Sequence, residues 1–252
     1  MPGIPHPQCN FMPESRPIEL SVVIPAYNEE ARLGGTLEQV LAYLNAQPYE
    51  WEVLVMDDGS RDRTAALAEQ IAARMPAGRV RVLRNPRNLG KGGTIRRGML
   101  EARGAQRLFT DADNSTPIEE VAKLRAALAE GFDVAIGSRA LKTSHVEVHQ
   151  PWYRETMGRT FNLFVQAMVL PGFKDTQCGF KLFRAEVAQA VFPRQRLQGF
   201  SFDVEVLYLA KRAGFRIKEV GVRWINSPAS RVHPIRDATK MFIDLLRIRT
   251  GL

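Results

Sequence analysis

Along the first 140 positions, apolar residues fall in a regular rhythm: a short run, a stretch with helical spacing, then another run. Residues 19–25, ELSVVIP, are apolar and β-branched and close on Pro25, which predicts a buried strand. Leu33, Leu37, Val40, Leu41 and Leu44 recur at helical spacing within 30–45. The run 51–58, WEVLVMDD, predicts a second strand that ends in two acids. Ser60 and Asp62 are candidate caps for the next helix, with Ala66, Leu67 and Ile71 on one face. Residues 79–84 predict a third strand, and 88–102, NLGKGGTIRRGMLEA, a glycine-rich loop entering a helix. A fourth strand is predicted over 106–113, QRLFTDAD. Thr116 and Glu119 then have capping-box spacing for a helix over 117–129, with Pro117 at its first position. A fifth strand spans 133–139, DVAIGSR. This alternation predicts βαβ units and a mostly parallel sheet, an α/β fold class.

After Arg139 the rhythm changes. Residues 140–152 read as a loop, 153–169 as a helix, CGFKLF as a short strand and 184–191 as a helix. A helix over 201–214 stops at Gly214, and 215–224, FRIKEVGVRW, alternates like a strand. The last helix, 236–249, carries Ala238, Met241, Phe242, Leu245 and Leu246 as its apolar face. Its other face holds Arg236, Lys240, Arg247 and Arg249 with Asp237 and Asp244.

The chain has 252 residues, 45% of them apolar, enough for a substantial core. We expect residues 1–17, with five prolines and no apolar h-region, to be a disordered tail rather than a signal peptide. Residues 18–252 are expected to form one domain, with a ligand-binding half over 18–139 and a second half over 140–252. The net charge of +8 suits an anionic partner: nucleic acid, an anionic membrane surface or a phosphorylated substrate. Two cysteines, Cys9 and Cys178, give neither a disulfide framework nor a cysteine zinc site, which fits a cytoplasmic setting. No apolar run is long enough to span a bilayer. The uncharged stretch 160–173, TFNLFVQAMVLPGF, is too short to span and has two readings: a core helix, the commoner case, and an interfacial one.

Ligands of open α/β sheets bind outside the carboxyl ends of the strands. Those ends read Pro25-Ala26-Tyr27-Asn28-Glu29, Asp57-Asp58-Gly59-Ser60, Asp111-Ala112-Asp113 and Ser138-Arg139. Three of the four carry acids. A hard divalent cation takes one or two carboxylates plus substrate phosphate oxygens, so the implied ligand is a metal-bound diphosphate such as a nucleotide. A lone D-x-D also serves as turn and cap residues ahead of a proline, and GKGG lacks the spacing of a P-loop.

Taken together, SVVIPAYNEE, DDGSRDRT, NLGKGG and DAD, each at a strand exit and in this order, resemble glycosyltransferase family 2. Its members are inverting nucleotide-sugar transferases of GT-A fold. Downstream, DTQCGFKLF (175–183) and FDVEVLYLAKRAGFRIKEV (202–220) resemble its dolichyl-phosphate β-glucosyltransferase branch, close to the polyprenyl-phosphate mannose synthases. The resemblance implies a GT-A sheet flanked by helices, with a C-terminal helical extension on the acceptor side. It places Pro25, Ala26, Tyr27 and Glu29 along the nucleotide, Asp57 and Asp58 at base and ribose, and Lys91 nearby. Asp111, Ala112 and Asp113 fall at the donor diphosphate, with both aspartates on Mg²⁺ or Mn²⁺. Arg139 and Arg159 match positions that hold the lipid phosphate, and Arg231 stands near the diphosphates where relatives carry lysine. Gln177 and Asp203 fall on the acceptor side; Cys178 reads as a small buried residue rather than a nucleophile. Asp203 and Glu205 also suit the first turn of a helix on dipole grounds alone.

The expected reaction moves glucose from UDP-glucose to a polyprenyl phosphate. That acceptor is largely ionised near pH 7, its second pKa being about 6, so no strong base is required. The basic last helix and the 160–173 stretch are expected to meet the cytoplasmic face of a membrane peripherally. The alternatives are GDP-mannose as donor, undecaprenyl phosphate as acceptor, or a nonenzymatic nucleotide-binding module. Nucleic acid is not an expected partner, because the strand exits are acidic and no RNA- or DNA-binding motif occurs.

Overall fold

The computed structural model describes residues 16–148, 151–226 and 234–251. In the first half, β1 (Leu20–Ala26), β2 (Trp51–Asp57), β3 (Val80–Arg84), β4 (Gln106–Thr110) and β5 (Val134–Ser138) alternate with helices. These are α1 (Leu33–Asn45), α2 (Thr64–Ala72), α3 (Gly90–Glu101) and α4 (Val121–Ala129). The second half adds β6 (His145–Val148), α5 (Trp152–Met168), β7 (Phe180–Arg184), α6 (Ala185–Val191) and α7 (Phe202–Arg212). It ends with β8 (Ile217–Gly221), β9 (Arg223–Ile225) and α8 (Pro234–Thr250).

Seven strands form one sheet in the order β3-β2-β1-β4-β7-β5-β8. All neighbours are parallel except β7, which runs antiparallel between β4 and β5. β6 and β9 make a separate two-stranded parallel sheet. Side-chain alternation distributes each central strand between two cores. Val22 and Ile24 of β1 pack on the side of α1 and α4, while Val23 faces Ile95 and Met99 of α3. Both faces are covered, which is why β1 and β2 read as apolar runs, broken only by the paired Ser21 and Glu52 before their acidic exits.

Several local expectations are corrected. β4 stops at Thr110, so both candidate aspartates lie in the following loop. The capping box at Thr116 does not form. Pro117 is extended, a 3₁₀ turn covers Ile118–Glu120, and α4 begins at Val121. The cause is burial: Thr116 is turned inward, its hydroxyl 3.7 Å from Cys178 Sγ. Asp62 does meet the start of α2, its Oδ1 accepting from the Thr64 N–H at 3.0 Å, while Ser60 and Asp62 Oδ2 tie two strand exits together, accepting from the backbone N–H groups of Asn28 and Glu30. Ala66 faces solvent.

Residues 140–152 contain β6, and the 215–224 strand breaks at Val222 into β8 and β9, which join different sheets. α8 buries Met241, Asp244, Leu245 and Ile248, leaving Phe242 and Leu246 exposed; the side chain of Ala238 lies outside the described residues. α5 is no core helix: Val165 is buried, but Leu163 is 64% and Phe164 45% exposed. Most of the expected tail, residues 1–15, also lies outside the described residues.

At the amino ends of the strands, opposite the acidic exits, one buried carboxylate fastens three segments. Glu52 accepts from the Ser21 hydroxyl (2.7 Å), the Arg103 backbone N–H (2.7 Å) and Arg103 Nε (2.9 Å). Burial alone would raise its pKa. The Arg103 backbone and side chain, with Ser21, outweigh burial and hold it below the ordinary 4.5. A depressed carboxylate stabilises the fold above its unfolded pKa and loses that contribution as pH falls toward its folded value. Urea unfolding of the parent and of Glu52→Gln should therefore differ most near neutral pH, with the gap narrowing as pH drops below about 4.5. A gap independent of pH would contradict this role.

Candidate active site

The exits of β1, β2, β4 and β5 open on one edge of the sheet. Because β7 is antiparallel, its beginning lies at that same edge: Thr110 pairs with Phe180, so the turn 175–179 abuts the residues after β4. This register brings Gly179 against Asp111. A Cβ on Gly179 would sit 2.1 Å from Asp111 Oδ2, so the carboxylate lies directly against the glycine backbone.

Lys91 stands in the first turn of α3, its Nζ 2.6 Å from Asp111 Oδ1. Burial by itself lowers an ammonium pKa; Asp111, Asp203 and Asp113 outweigh it, and the net shift is upward. The first turn of α3 is shaped by close packing on the 197–198 backbone. Gly90 has a positive φ of 77°, and a Cβ there would meet the Gln198 carbonyl oxygen at 2.6 Å. Gly92 likewise presses on the Leu197 carbonyl.

Asp58 holds this helix start in place, accepting from the backbone N–H groups of Leu89 (2.7 Å) and Gly90 (3.0 Å) and from Asn85 Nδ2 (2.8 Å). Asp57 is fully buried and accepts from the Ser60 N–H and Arg84 Nε. Both carboxylates are thus engaged by the protein's own donors. At the β1 exit, Glu29 faces Arg32 in a two-pronged pair at 2.7 and 2.8 Å. Arg32 in turn lies 3.9 Å from Asp113. Pro25 and Tyr27 are half-buried, whereas the side chains of Ala26 and Ala112 belong to the core. Those two alanines contribute backbone only: their carbonyls accept from Asp58 N–H and the Thr36 hydroxyl.

On the other flank, Arg139 is locked to Asp175. Nε and Nη2 donate at 2.7 and 2.9 Å, and the Arg139 backbone N–H adds a third bond at 3.0 Å. Asp175 also takes the N–H groups of Gln177 and Cys178, which folds the turn around it. Burial would raise the Asp175 pKa, but Arg139 pulls it below the usual range. Trp224 of β9 covers the guanidinium at 5.4 Å. Behind these groups, Lys181 is fully buried in β7 and donates to Asp203 (2.5 Å) and the Cys178 carbonyl (2.6 Å). Burial pushes the Asp203 carboxyl upward, and it pushes the Cys178 thiol to about 11, so that sulfur stays protonated and is no nucleophile.

Of the sequence-derived residues, Asp111, Asp113, Lys91, Arg139 and Asp203 are linked by side-chain charges in this region, and Gln177 joins through its backbone N–H to Asp175. Arg159 does not join them; it is 80% exposed on α5 and pairs with Glu155 one turn earlier. Arg231 lies outside the described residues. Sequence reasoning missed Asp175 and Lys181 as members of the cluster. The signal for Lys181 was a charge inside the apolar segment CGFKLF; for Asp175 it was its place at the head of that block.

Among the described residues, no three or more His, Cys, Asp or Glu side chains gather as a metal cage. Asp111 and Asp113 are 36% and 23% exposed, hard oxygen donors at the rim of the cleft. Such a pair suits a cation that completes its shell with ligand phosphates. A separate cleft of about 520 Å³ between α3, α7 and α8 is lined by Arg96, Arg194, Arg196 and Arg212 and holds none of the strand-exit acids.

Comparison with known proteins agrees with this geometry. The family described as "Glycosyl transferase family 2" matches residues 21–192. The dolichyl-phosphate beta-glucosyltransferase of Dictyostelium discoideum is 35% identical, over 98% of this chain and 80% of that protein. The human protein of the same name is 36% identical over 92% of this chain and 75% of its own length. Among solved structures, Mycobacterium tuberculosis glucosyl-3-phosphoglycerate synthase, with Mn²⁺, UDP and glucosyl-3-phosphoglycerate, superimposes with a TM-score of 0.68. It is 22% identical and covers 93% of this chain and 81% of that one. Mannosyl-3-phosphoglycerate synthase from Rubrobacter xylanophilus gives 0.67 at 20% identity, over 93% of this chain and 73% of the other. The fold is therefore GT-A-like.

The buried pair at Lys181 yields a stability prediction. Lys181→Met leaves Asp203 buried without its ammonium and should cost about 3–5 kcal/mol in urea unfolding. Lys181→Met with Asp203→Leu should recover most of that loss, because the uncompensated charge is gone. Equal destabilisation of the single and double variants would contradict the pairing.

Proposed function

This chain belongs to glycosyltransferase family 2 and is a glycosyltransferase, and from that premise we propose that it transfers glucose from UDP-glucose to a dolichyl-type polyprenyl phosphate, with inversion. The observation that carries the acceptor and sugar is the agreement of relatives: Dictyostelium, Drosophila and human proteins, each 35–37% identical over more than nine-tenths of this chain, bear the same name. UDP as the nucleotide, and a divalent metal, are supported by the UDP and Mn²⁺ of the glucosyl-3-phosphoglycerate synthase complex.

The chemistry of the cleft suits this reaction. Two anions must meet, a nucleoside diphosphate and a phosphate monoester, and repulsion between them is the main electrostatic obstacle. Lys91 offers an ammonium at the donor side, seated by Asp58 through the start of α3. Asp111 and Asp113 are the residues that would hold Mg²⁺ or Mn²⁺, which supplies Lewis-acid stabilisation to the leaving diphosphate. Arg139 faces the acceptor side in our reading. Its charge is already balanced by Asp175, so it acts as a fixed hydrogen-bond donor more than as a bare cation. Position thus matters more than charge there. The acceptor phosphate is its own nucleophile near pH 7, which is consistent with Asp203 being buried against Lys181 rather than free to take a proton. Pro25, Tyr27 and Glu29 flank the donor side, and Gln177 the acceptor side.

Residues 18–139 supply the donor half of this proposed domain and 140–252 the acceptor half. No helix among the described residues is long and apolar enough to cross a membrane. We place the protein at the cytoplasmic face of a membrane, where its acceptor would lie.

The test is direct transfer. With labelled UDP-glucose, Mg²⁺ or Mn²⁺ and a short-chain polyprenyl phosphate, the protein should form a lipid-linked glucose. Asp113→Asn should lower the rate about a hundredfold or more. Gly179→Ala, whose Cβ displaces the Asp111 carboxylate, should lower it about ten- to a hundredfold without changing the thermal midpoint much. Product from GDP-mannose instead would overturn the donor assignment. No product with either donor would overturn the reaction itself.

A further inference from the structure

Eight large apolar side chains are more than a third exposed among the described residues: Leu100, Val148, Met157, Leu163, Phe164, Phe242, Ile243 and Leu246. Six of them, all but Leu100 and Val148, stand on α5 and α8. A helix at the surface of a globular protein ordinarily has one apolar face, turned inward. α8 has two. At about 100° per residue, Met241, Asp244, Leu245 and Ile248 make the buried face, while Phe242, Ile243 and Leu246 group on the opposite side. α5 contributes the adjoining strip. Phe164 meets Phe242 edge to face, ring centroids 5.4 Å apart, so the two exposed faces form one ridge.

The exposed charges flanking the ridge are mainly basic. On α8, Arg249 flanks it on one side and Lys240 and Arg247 on the other, all exposed. Arg159 projects from α5, 80% exposed, with Glu155 3.6 Å away and less exposed. Over residues 234–251 the charge is 4 − 2 = +2, from Arg236, Lys240, Arg247 and Arg249 against Asp237 and Asp244. Asp244 is buried beneath Arg247, 3.2 Å away, so Lys240 and Arg249 supply the net positive charge of the described side chains of α8. An apolar strip between basic shoulders is the pattern of a helix lying in a bilayer interface, its apolar side chains among the acyl chains and its cations at anionic headgroups.

The ridge also connects to the cleft. Asn162, next to Leu163 on α5, donates to the carbonyls of Phe173 and Lys174 and accepts from the Thr176 hydroxyl. One residue away, Asp175 clamps Arg139. The apolar ridge and the guanidinium of the cleft are therefore held to one short turn.

We infer that the ridge formed by Leu163, Phe164, Phe242, Ile243 and Leu246 is a bilayer-docking surface selective for anionic lipid, and that it presents the Arg139 side of the cleft to the membrane. Its orientation toward the acceptor rests on the reaction proposed above; the docking itself does not.

Two arms keep these separate. In the first, the full chain is sedimented with vesicles of phosphatidylcholine alone or mixed with phosphatidylglycerol, with no donor or acceptor. Binding to the mixed vesicles, weakened by salt, is expected. The triple variant Leu163→Ser/Phe242→Ser/Leu246→Ser should lose about tenfold or more of that binding. Leu100→Ser/Val148→Ser, which removes the two exposed apolar residues off the ridge, should bind as the parent does. Unchanged binding of the triple variant, or no binding of the parent at low salt, overturns the inference. So does light scattering that finds the parent a dimer and the triple variant a monomer, for the ridge would then be an interface between copies. In the second arm, the triple variant should glucosylate a water-soluble short-chain acceptor at the parent's rate and lose rate only with long-chain acceptor in vesicles. Equal loss on both acceptors overturns the link to the cleft while leaving the first arm to stand or fall by itself.

Discussion

The site depends on a single antiparallel strand. Without β7 between β4 and β5, the acids after β4 would lack the turn that packs against them. Running against its neighbours, β7 starts where they end, and so delivers the 175–179 turn to the residues after Thr110. The same strand carries Lys181 into the interior beneath them. The closeness this requires explains a residue choice: only a glycine at 179 leaves room for the Asp111 carboxylate.

Charge around this strand is matched in pairs, and the degree of burial differs between pairs. Lys181 and Asp203 are sealed and serve the fold. Arg139 and Asp175 are partly covered, which fixes a guanidinium in one plane. Lys91 and Asp111 lie nearest the surface, with 24% and 36% of their side chains open to solvent. Water and ligands compete most easily for the outermost pair, so the gradient from interior to rim runs from structural pairing to exchangeable pairing. An arriving diphosphate and cation would exchange partners with Lys91 and Asp111 while the deeper pairs hold the frame.

Much of this was legible in the residues. The apolar runs at Val22–Ile24 and Val53–Met56 located buried parallel strands, and the acids after Met56 and Thr110 located the exits. Two kinds of feature were not legible. One is direction: CGFKLF reads as a strand whichever way it runs, and its antiparallel course is decided by pairing with β4 and β5. Asp175 had no visible role for that reason, since its partner Arg139 lies 36 residues away. The other is which face of a helix turns inward. In α8, heptad-like spacing grouped Met241 and Leu245 with Phe242 and Leu246, but packing on α5 and α7 selects only the first two with Ile248. Capping at Thr116 failed for a related reason: burial beside Cys178 took a side chain that local pattern had assigned to the helix.

The break at Val222 joins the two sheets through one continuous segment. β8 closes the edge of the large sheet on β5, and two residues later β9 pairs with β6 and places Trp224 over Arg139. Ile225 is bonded to Ser115, just past the acids of the β4 exit. Strand side chains alternate, so a shift of one residue in this segment reverses every face beyond it. Edge-strand register is commonly a matter of sheet stability alone. In this protein it is also an aiming device, because the count of residues from the sheet edge decides whether an indole or bare backbone roofs the guanidinium. The length of that segment is therefore under a stricter constraint than its composition.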